Sequence, residues 1–273
     1  SEYHNEGIAR PEWGGAVADG STDNTSAIES VITAIDAGTN YRFGVGTYGI
    51  ASNITVNKKI KLSGFDTVIL DLTSNQVSFD VTVDSVTITG FFIDGVTSDY
   101  TNNSSVGVRA NDQSHLTVEN CTIIDKMHGI RSTTTVPAIV KGWYIARNKI
   151  WNVVKGISTT TTDTGGGYSF HTDFTIIDND IKSLQGTATA ARCIGIVNAR
   201  NNIIIERNSL IGGGYDIEVF ETDSLRFAKE DSISTSKDVR IVNNFISSAT
   251  SGGTKHLFNV YDMDSLAAYS RTT

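Results

Sequence analysis

The sequence repeats one apolar pattern at intervals of about 30 residues. Consecutive copies lie 27 to 36 residues apart when aligned on a central position, which holds Phe91, Cys121, Asn148, Asn179, Asn208 and Asn244. The position three residues earlier is apolar in every copy: Ile88, Val118, Ile145, Ile176, Ile205 and Ile241. Apolar residues also stand five residues before and two residues after the central position. A period of this size with slack in its length is typical of stacked coils whose extra residues loop out.

The spacing within each copy indicates strands rather than helices. Apolar residues alternate with their neighbours at a period of two, which is the side-chain period of a strand. A parallel sheet needs its apolar face buried, and here the recurring columns would fill the interior of each coil. We therefore predict an all-β chain, a parallel β-helix in which each coil lies about 4.8 Å from the next.

The asparagines of the central column have a structural explanation. We expect Asn148, Asn179 and Asn208 to stack as an internal ladder, because a side-chain amide at a bend can bond the same group one coil away. Asparagine also tolerates left-handed φ, so we expect the bend at the asparagine itself. Phe91 and Cys121 would replace the ladder by apolar stacking at one end.

The region before the repeats predicts a capping helix. Asp23-Asn24-Thr25 supplies an N-cap, and an apolar stripe at helical spacing follows, formed by Ala27, Ile28, Val31, Ile32 and Ile35. We expect Gly38 to end the helix. A covering helix is required because the first coil of a solenoid exposes an apolar end. The predicted division is residues 1–57 for the cap and first strands, 58–260 for the coils and 261–273 for a tail.

The cap region also carries a family resemblance. The motifs are Gly15-Ala16-Val17, Asp19-Gly20, Thr22-Asp23, Thr25, Ala27-Ile28 and Gly46-Thr47-Tyr48. This stretch resembles the N-terminal cap of the pectate-lyase-like right-handed β-helix superfamily. Pro11-Glu12-Trp13 is most similar to the start of bacteriophage tailspikes and related depolymerases. Together with the repeats, the resemblance covers nearly the whole chain. It implies a right-handed β-helix, whereas the superfamily's activities include lyases, glycoside hydrolases, epimerases and non-catalytic spikes.

The tailspike resemblance sets the functional expectation. It implies a virion tail or extracellular protein that binds, and in active members cleaves, host surface polysaccharide. It also implies a homotrimer in contact with other virion tail proteins, although the segment after the last coil is short for a trimerisation domain. The alternatives are a secreted polysaccharide lyase or glycoside hydrolase, and a structural β-helix spike without a ligand. The absence of a signal peptide at the start favours the spike.

Composition excludes several other partners. The formal net charge is -8 and no basic run occurs, so nucleic acid is not expected as a partner. The sequence contains no run of about 18 apolar residues, so membrane insertion is not expected. The five histidines show no metal-ligand spacing, so we expect no metal and no other cofactor. Cys121 and Cys193 fall on inward positions and are expected to be inert core thiols.

Acidic residues near the end of the repeats are the candidates for catalysis. Glycoside hydrolysis needs two carboxyl groups whose separation selects the mechanism. The densest acidic zone contains Asp216, Glu218, Glu221 and Asp223. Glu218, Glu221 and Asp223 are therefore our acid/base candidates, and the alternative is a solvated acidic loop.

Aromatic and basic residues are the candidates for binding a sugar. Trp151, Tyr144 and Tyr215 are predicted to lie on outward positions, where sugars can stack on their rings. Arg109 and Arg131 follow Gly-apolar pairs in consecutive coils and would hold an acidic sugar. The alternatives are burial between subunits for the aromatic residues and ordinary solvation for the arginines.

A polar column precedes the central asparagines. It places Asp178 between Arg147 and Arg207, one coil to each side. An ion-pair ladder is one explanation, and a polar strip that binds sugar is the other.

Overall fold

The computed structural model describes residues 7–73, 76–96, 104–135, 138–162, 170–184, 191–199, 201–212, 215–220, 239–248 and 259–261. Its strands pair in parallel from coil to coil, and the predicted parallel β-helix is confirmed. The described helices are a 3₁₀ helix at Pro11–Gly14 and α1 at Thr25–Ala34. No helix within the described ranges is long and apolar enough to cross a lipid bilayer.

The strands of the described ranges are, in chain order, β1 Ile8–Ala9, β2 Asp19–Asp23, β3 Asn40–Arg42, β4 Gly46–Ile50, β5 Ile54–Val56, β6 Lys61–Asp71, β7 Val77–Val81, β8 Thr87–Asp94, β9 Val106–Ala110, β10 Thr117–Glu119, β11 Thr122–Thr135, β12 Ile139–Lys141, β13 Tyr144–Ala146, β14 Lys149–Thr162, β15 Phe170–Thr172, β16 Thr175–Ile177, β17 Asp180–Ser183, β18 Arg192–Val197, β19 Ile203–Glu206, β20 Ser209–Gly212, β21 Tyr215–Phe220, β22 Val239–Val242, β23 Phe245–Ser248 and β24 Asn259–Tyr261.

The strand register follows the sequence repeat. One column is paired Cα to Cα through successive coils: Ile88, Val118, Ile145, Ile176, Ile205 and Ile241. Its members from Ile88 to Ile205 are fully buried. Residues about thirty apart are therefore vertical neighbours around a shared apolar interior, as the period predicts.

The predicted asparagine ladder is confirmed. The side-chain amide of Asn148 donates to Asn179 Oδ1 at 3.0 Å, Asn179 donates to Asn208 at 2.9 Å, and Asn208 donates to Asn244 at 2.9 Å. Each acceptor oxygen also receives the backbone N–H of the preceding asparagine. At the other end, Asn148 Oδ1 accepts the backbone N–H of Cys121 at 2.9 Å. The ladder thus satisfies backbone groups at a bend that the sheet leaves unpaired.

The bend itself lies one residue earlier than expected. The residues with positive φ form the preceding column: Asn120, Arg147, Asp178, Arg207 and Asn243, with φ between 54° and 56°. The expectation that the asparagine adopts left-handed φ was therefore wrong. The asparagine side chain must point inward to reach the next coil, so the preceding residue makes the turn. This conformation is uncommon for residues other than glycine.

The N-terminal helix begins where the sequence predicts but ends earlier. Its first turn is capped by Asp23, whose Oδ1 accepts the backbone N–H of Thr25 at 3.0 Å. Asn24 occupies the N-cap position, yet its side chain instead bonds Val17 and the backbone oxygen of Gly49. The helix ends at Ala34 because the next residue is extended.

The expected helix end at Gly38 was therefore wrong. Gly38 has φ of 87°, and it turns the chain toward β3. The helix buries Ile28, Val31 and Ile32, which covers the apolar end of the first coils. Strand pairing already includes β1 and β3, and the domain limits at 57 and 260 stay a prediction.

Candidate functional site

One row of residues runs across six strands on one side of the solenoid. The row is paired Cα to Cα through β7, β9, β11, β14, β18 and β21: Asp80, Arg109, Arg131, Ser158, Gly195 and Glu218. A second row lies three residues earlier on the last four of these strands: His128, Lys155, Arg192 and Tyr215. We call the surface formed by Arg109, Arg131, Lys155 and Arg192 the basic face.

The basic side chains of the two rows lie close to one another. Arg131, Lys155 and Arg192 are all near enough to His128 for their charges to lower its pKa. Burial contributes most to that shift, and together these effects lower the pKa of His128 to about 2. The imidazole is therefore neutral, and its Nδ1 lies 2.7 Å from Ser158 Oγ. His128 is thus a neutral, buried side chain close to three cationic side chains.

Glycines between the rows bring the backbone against the interior. A Cβ on Gly129 would lie 2.5 Å from Ile150 Cγ2 and 2.6 Å from the backbone oxygen of Gly156. Only glycine fits such an approach, and this explains the Gly-apolar pairs of the repeat. On β18, Gly195 serves a different purpose, because a Cβ there would lie 2.6 Å from Arg192 Cδ. The Arg192 side chain therefore lies over Gly195 and reaches the row of Arg131.

Arg109 and Arg131 differ in their electrostatic surroundings. Arg109 donates two hydrogen bonds to the carboxylate of Asp80, at 2.9 and 2.6 Å. These bonds raise the pKa of Arg109. Arg131, in the next coil, has its pKa lowered first by burial and then by the charge of Arg109. The structure therefore holds two guanidinium groups in adjacent coils, and that of Arg109 is paired with Asp80.

The acid/base candidates are only partly described. Glu218 lies on β21 with its Cα paired to Gly195, so its backbone belongs to the outer row that contains Arg131. Tyr215 has its Cα paired to Arg192 in the second row. Glu221 and Asp223 lie outside the described residues.

Two predicted aromatic contacts lie away from the basic face. Trp151 precedes the left-handed turn at Asn152, and its indole N–H donates to Asp180 Oδ2 at 3.1 Å. Tyr144 lies on β13, where its hydroxyl accepts a hydrogen bond from Arg147 at 3.4 Å. The structure therefore does not bring Trp151 and Tyr144 together with the predicted arginines.

The polar column at the bend contains an ion pair between two of its members. Arg207 binds the carboxylate of Asp178 through two hydrogen bonds, at 2.8 and 3.0 Å. Arg147 instead turns to the preceding coil, where it pairs with Glu119 and donates to Asn120 at 3.0 Å. The pKa of Asp178 is lowered, chiefly by Arg207. The expected position of Asp178 between two arginines is found, but only Arg207 contacts it directly.

Sequence reasoning missed a buried charged group at the edge of the basic face. Lys126 is fully buried, and its ammonium pairs with the carboxylate of Asp71, two coils away. It also donates to the backbone oxygen of Gln76 at 3.3 Å, while Asp71 accepts a hydrogen bond from Ser78 at 2.9 Å. Burial raises the pKa of Asp71, and Lys126 opposes that rise.

Asp94 lies between these two charges along the solenoid and remains partly exposed. Its pKa is raised by burial first, then by the charges of Asp125 and Asp71. A raised carboxyl pKa is a property that a general acid requires. A signal was present in the sequence, because Asp94 follows Ile93 directly and Asp125 follows Ile123 by two residues. The two acids lie in consecutive coils, displaced by one residue in the strand register.

Metal and thiol chemistry gain no support in the described part of the chain. No three histidine, cysteine, aspartate or glutamate side chains of the described ranges are arranged to hold a metal ion. Both Cys121 and Cys193 are buried and free, and burial raises the pKa of Cys121 to about 12.

Comparison with solved structures supports the same fold. PfbA, a surface adhesin of Streptococcus pneumoniae, matches 93% of this chain and 76% of its own chain, with a TM-score of 0.59 and 13% identity. ORF18 of Geobacillus virus E2 matches 77% of this chain with a TM-score of 0.48 and 17% identity. This chain covers 53% of ORF18, a little over half its length.

The Dettilon tailspike protein gp208 matches 79% of this chain and 59% of its own, with a TM-score of 0.36 and 13% identity. No protein-family model matches the sequence, and no curated protein matches it significantly. At 13% identity, the similarity to PfbA supports the parallel β-helix fold alone.

Proposed function

We propose that this protein is a tailspike-like spike of a virion tail or other extracellular surface, and that it binds an anionic polysaccharide along the basic face. The observation that carries the proposal is the convergence of Arg109, Arg131, Lys155 and Arg192 on one face of a chain with net charge -8. A cluster of cations attracts an acidic ligand and raises its local concentration, even though the chain as a whole is negatively charged.

The geometry of the coils supports a ligand that lies along the solenoid axis. Successive coils are about 4.8 Å apart, which is comparable to the length of one sugar ring. A polysaccharide laid across the strands therefore meets a new coil with almost every sugar. Arg131 and Lys155 lie on adjacent coils, so acidic groups on neighbouring sugars would each find a cation.

The resemblance of the cap supports the biological setting. Pro11-Glu12-Trp13 is similar to the start of tailspikes, and the ligand in that setting is a host surface polysaccharide. Such a spike is a homotrimer that contacts other virion tail proteins. Size-exclusion chromatography with light scattering tests this part of the proposal, and a stable monomer would count against the spike.

A partly exposed acid on the same row of strand pairs as Trp151 is a candidate for cleavage. Asp94 keeps its proton to higher pH than an ordinary aspartic acid, and Asp125 lies near it in the next coil. Asp94 is paired with Ile124, the residue before Asp125, and two carboxyl groups about 5–5.5 Å apart would suit a retaining glycosidase. We propose Asp94 as the general acid. Glu218, Glu221 and Asp223 stay candidates for the same role on the later coils.

Binding is tested with ligands that differ only in charge. The full chain is immobilised and titrated with a polyuronate, a sulfated polysaccharide and neutral dextran. We expect binding of the acidic polymers alone, weakened by salt, and at least about tenfold weaker binding by R131Q/K155Q. R207Q removes an arginine charge from the polar column at the bend, away from the basic face, and is the matched control. Binding of dextran with equal affinity, or unchanged binding by R131Q/K155Q, would overturn the proposal.

A second variant tests geometry without changing charge. Gly195→Ala places a methyl group where Arg192 now lies, so the arginine must move. We expect weaker binding of the acidic polymers by G195A and unchanged circular dichroism.

Cleavage is tested by the appearance of reducing ends or of unsaturated uronate absorbance. D94N should abolish the reducing ends and leave binding intact. Binding without either product would identify a non-catalytic spike. Unsaturated product would favour the alternative, a polysaccharide lyase, in which Arg131 with its lowered pKa is the candidate base.

A further inference from the structure

Four side chains on β14 and β17 form a compact group on a different surface from the basic face. The two strands pair Lys149 with Asp180 and Trp151 with Lys182. The group lies before the left-handed residue Asn152 (φ 52°), whereas Lys155 of the basic face follows it. The turn therefore separates the two surfaces, although a single strand contributes to both.

The indole of Trp151 is held in place and carries two positive charges. Its N–H donates to Asp180 Oδ2 at 3.1 Å, which fixes the ring across the two coils. The ammonium of Lys149 lies 3.6 Å from the ring centroid and that of Lys182 lies 3.7 Å from it. Both ammonium nitrogens are thus attracted to one ring, and they are at most about twice that distance apart.

This arrangement concentrates like charges. Within the described residues, neither Lys149 nor Lys182 forms an ion pair with a carboxylate. The nearby Asp180 carboxylate is occupied at one oxygen by the indole N–H. Two ammonium groups held by one ring repel each other, and an anion that contacts both would relieve that repulsion.

We propose that Lys149, Trp151 and Lys182 form a second binding site, for the carboxylate or sulfate group of an acidic saccharide. The anionic oxygens bind the two ammonium groups, and the apolar face of the sugar contacts the partly exposed indole. The site goes beyond the proposed function, because it lies on the other side of the Asn152 turn and uses none of the residues of the basic face.

The experiment uses tryptophan fluorescence of the full chain. Trp151 is partly exposed, Trp143 is buried and Trp13 is 41% exposed. All fluorescence measurements are therefore made in the W13F background, where a ligand at this site changes the signal of Trp151. The probes are a glucuronate-containing oligosaccharide, a sulfated oligosaccharide, inorganic sulfate and a neutral oligosaccharide of equal length. We expect a saturable change with one or both acidic oligosaccharides and none with the neutral one. The arm that responds identifies carboxylate or sulfate as the preferred group, and a response to inorganic sulfate alone would refute a saccharide site.

Three variants separate this site from the rest of the molecule. K149M/K182M removes both charges and keeps an apolar stem over the indole, so the change should be lost. K61Q, a lysine substitution on an exposed part of β6, is the matched control and should keep it. R131Q should also keep it, which separates this site from the proposed function. A change retained by K149M/K182M, or lost in R131Q, would overturn the inference.

Iodide quenching provides a readout that a purely structural role would not affect. Iodide should quench Trp151 more strongly than uncharged acrylamide does in the wild type, and K149M/K182M should remove that preference. Equal iodide preference in both proteins would contradict the charge arrangement described here.

Discussion

The indole ring of Trp143 is stacked on the phenyl ring of Phe174 in the next coil, with centroids 5.1 Å apart and ring planes 3° from parallel. Both side chains are fully buried, and the indole N–H donates to the backbone oxygen of Gln113 at 2.9 Å. Stacked aromatic rings thus fill the interior between neighbouring coils, which the backbone pairing by itself does not fill.

Trp143→Ala should destabilise the protein strongly. Removing a large buried aromatic side chain leaves a cavity and costs about 3–5 kcal/mol. Chemical denaturation monitored by circular dichroism measures this loss. Ile139→Ala, at a side chain that is 61% exposed, is the control and should change the free energy of unfolding by less than about 1 kcal/mol. Similar effects of the two substitutions would contradict the interior position of Trp143.

Asn179→Ala should break the ladder at its centre. The backbone N–H and the side-chain amide of Asn148 would lose their shared acceptor, and Ile145 would lose a donor to its backbone oxygen. Each buried group left without a partner costs about 1–3 kcal/mol, and denaturant titration should show a loss in that range or above it. Asn201→Ala, on the surface, should leave the unfolding midpoint nearly unchanged. A midpoint that moves equally in both variants would refute the ladder's contribution to stability.

Lys126→Met should destabilise the fold more than the double variant K126M/D71N. The single substitution leaves the Asp71 carboxylate buried without its cation, which costs about 3–5 kcal/mol. Replacing the carboxylate by an amide removes that charge, so part of the stability should return. Comparison of the single and double variants in a thermodynamic cycle measures the coupling. An additive result would show that the two residues act independently.

His171 should make the protein less stable in mild acid. Burial lowers its pKa to about 4, whereas an unfolded histidine has a pKa of about 6.5. Between these values the unfolded chain takes up a proton that the folded chain refuses, so stability falls as the pH drops from about 6.5 to about 4. Below the folded pKa this histidine causes no further loss, and its full effect is about 3 kcal/mol.

The hydrogen bonds of His171 fix the tautomer of its neutral imidazole. Nδ1 donates to the backbone oxygen of Val197 at 2.7 Å, so Nε2 accepts from the hydroxyl of Thr134 at 2.8 Å. His171→Gln removes the titrating group, and its unfolding free energy should depend less steeply on pH over this interval. An unchanged slope would assign the acid sensitivity to other groups.

The sequence predicted those parts of the fold that depend on side-chain periodicity. The columns of Ile145 and Asn148 were readable because every coil must present an apolar residue or an amide at the same place. The left-handed position was not readable, since Arg147 and Arg207 are unusual residues for that conformation and the pairing of the ladder was needed to locate it.

The candidate site was predicted less completely because loop lengths change its register. His128 follows Cys121 by seven residues and Lys155 follows Asn148 by seven, but Arg192 follows Asn179 by thirteen. The longer connection hides Arg192 from any alignment on the asparagines, and only the strand pairing places it beside Lys155. The pairing of Lys126 with Asp71 was hidden for another reason, since the lysine reaches past one coil to the next.

The amide hydrogen bonds of the asparagine ladder all run in the same direction, so each coil presents the same donor and the same acceptor to its neighbours. Asn148, Asn179 and Asn208 each donate two hydrogen bonds to the side-chain oxygen of the asparagine in the next coil. If one whole coil between two of these asparagines were deleted or duplicated, the amide donor of one asparagine would again meet the side-chain oxygen of another. The solenoid can therefore change its length in evolution by single coils while the asparagine ladder stays continuous.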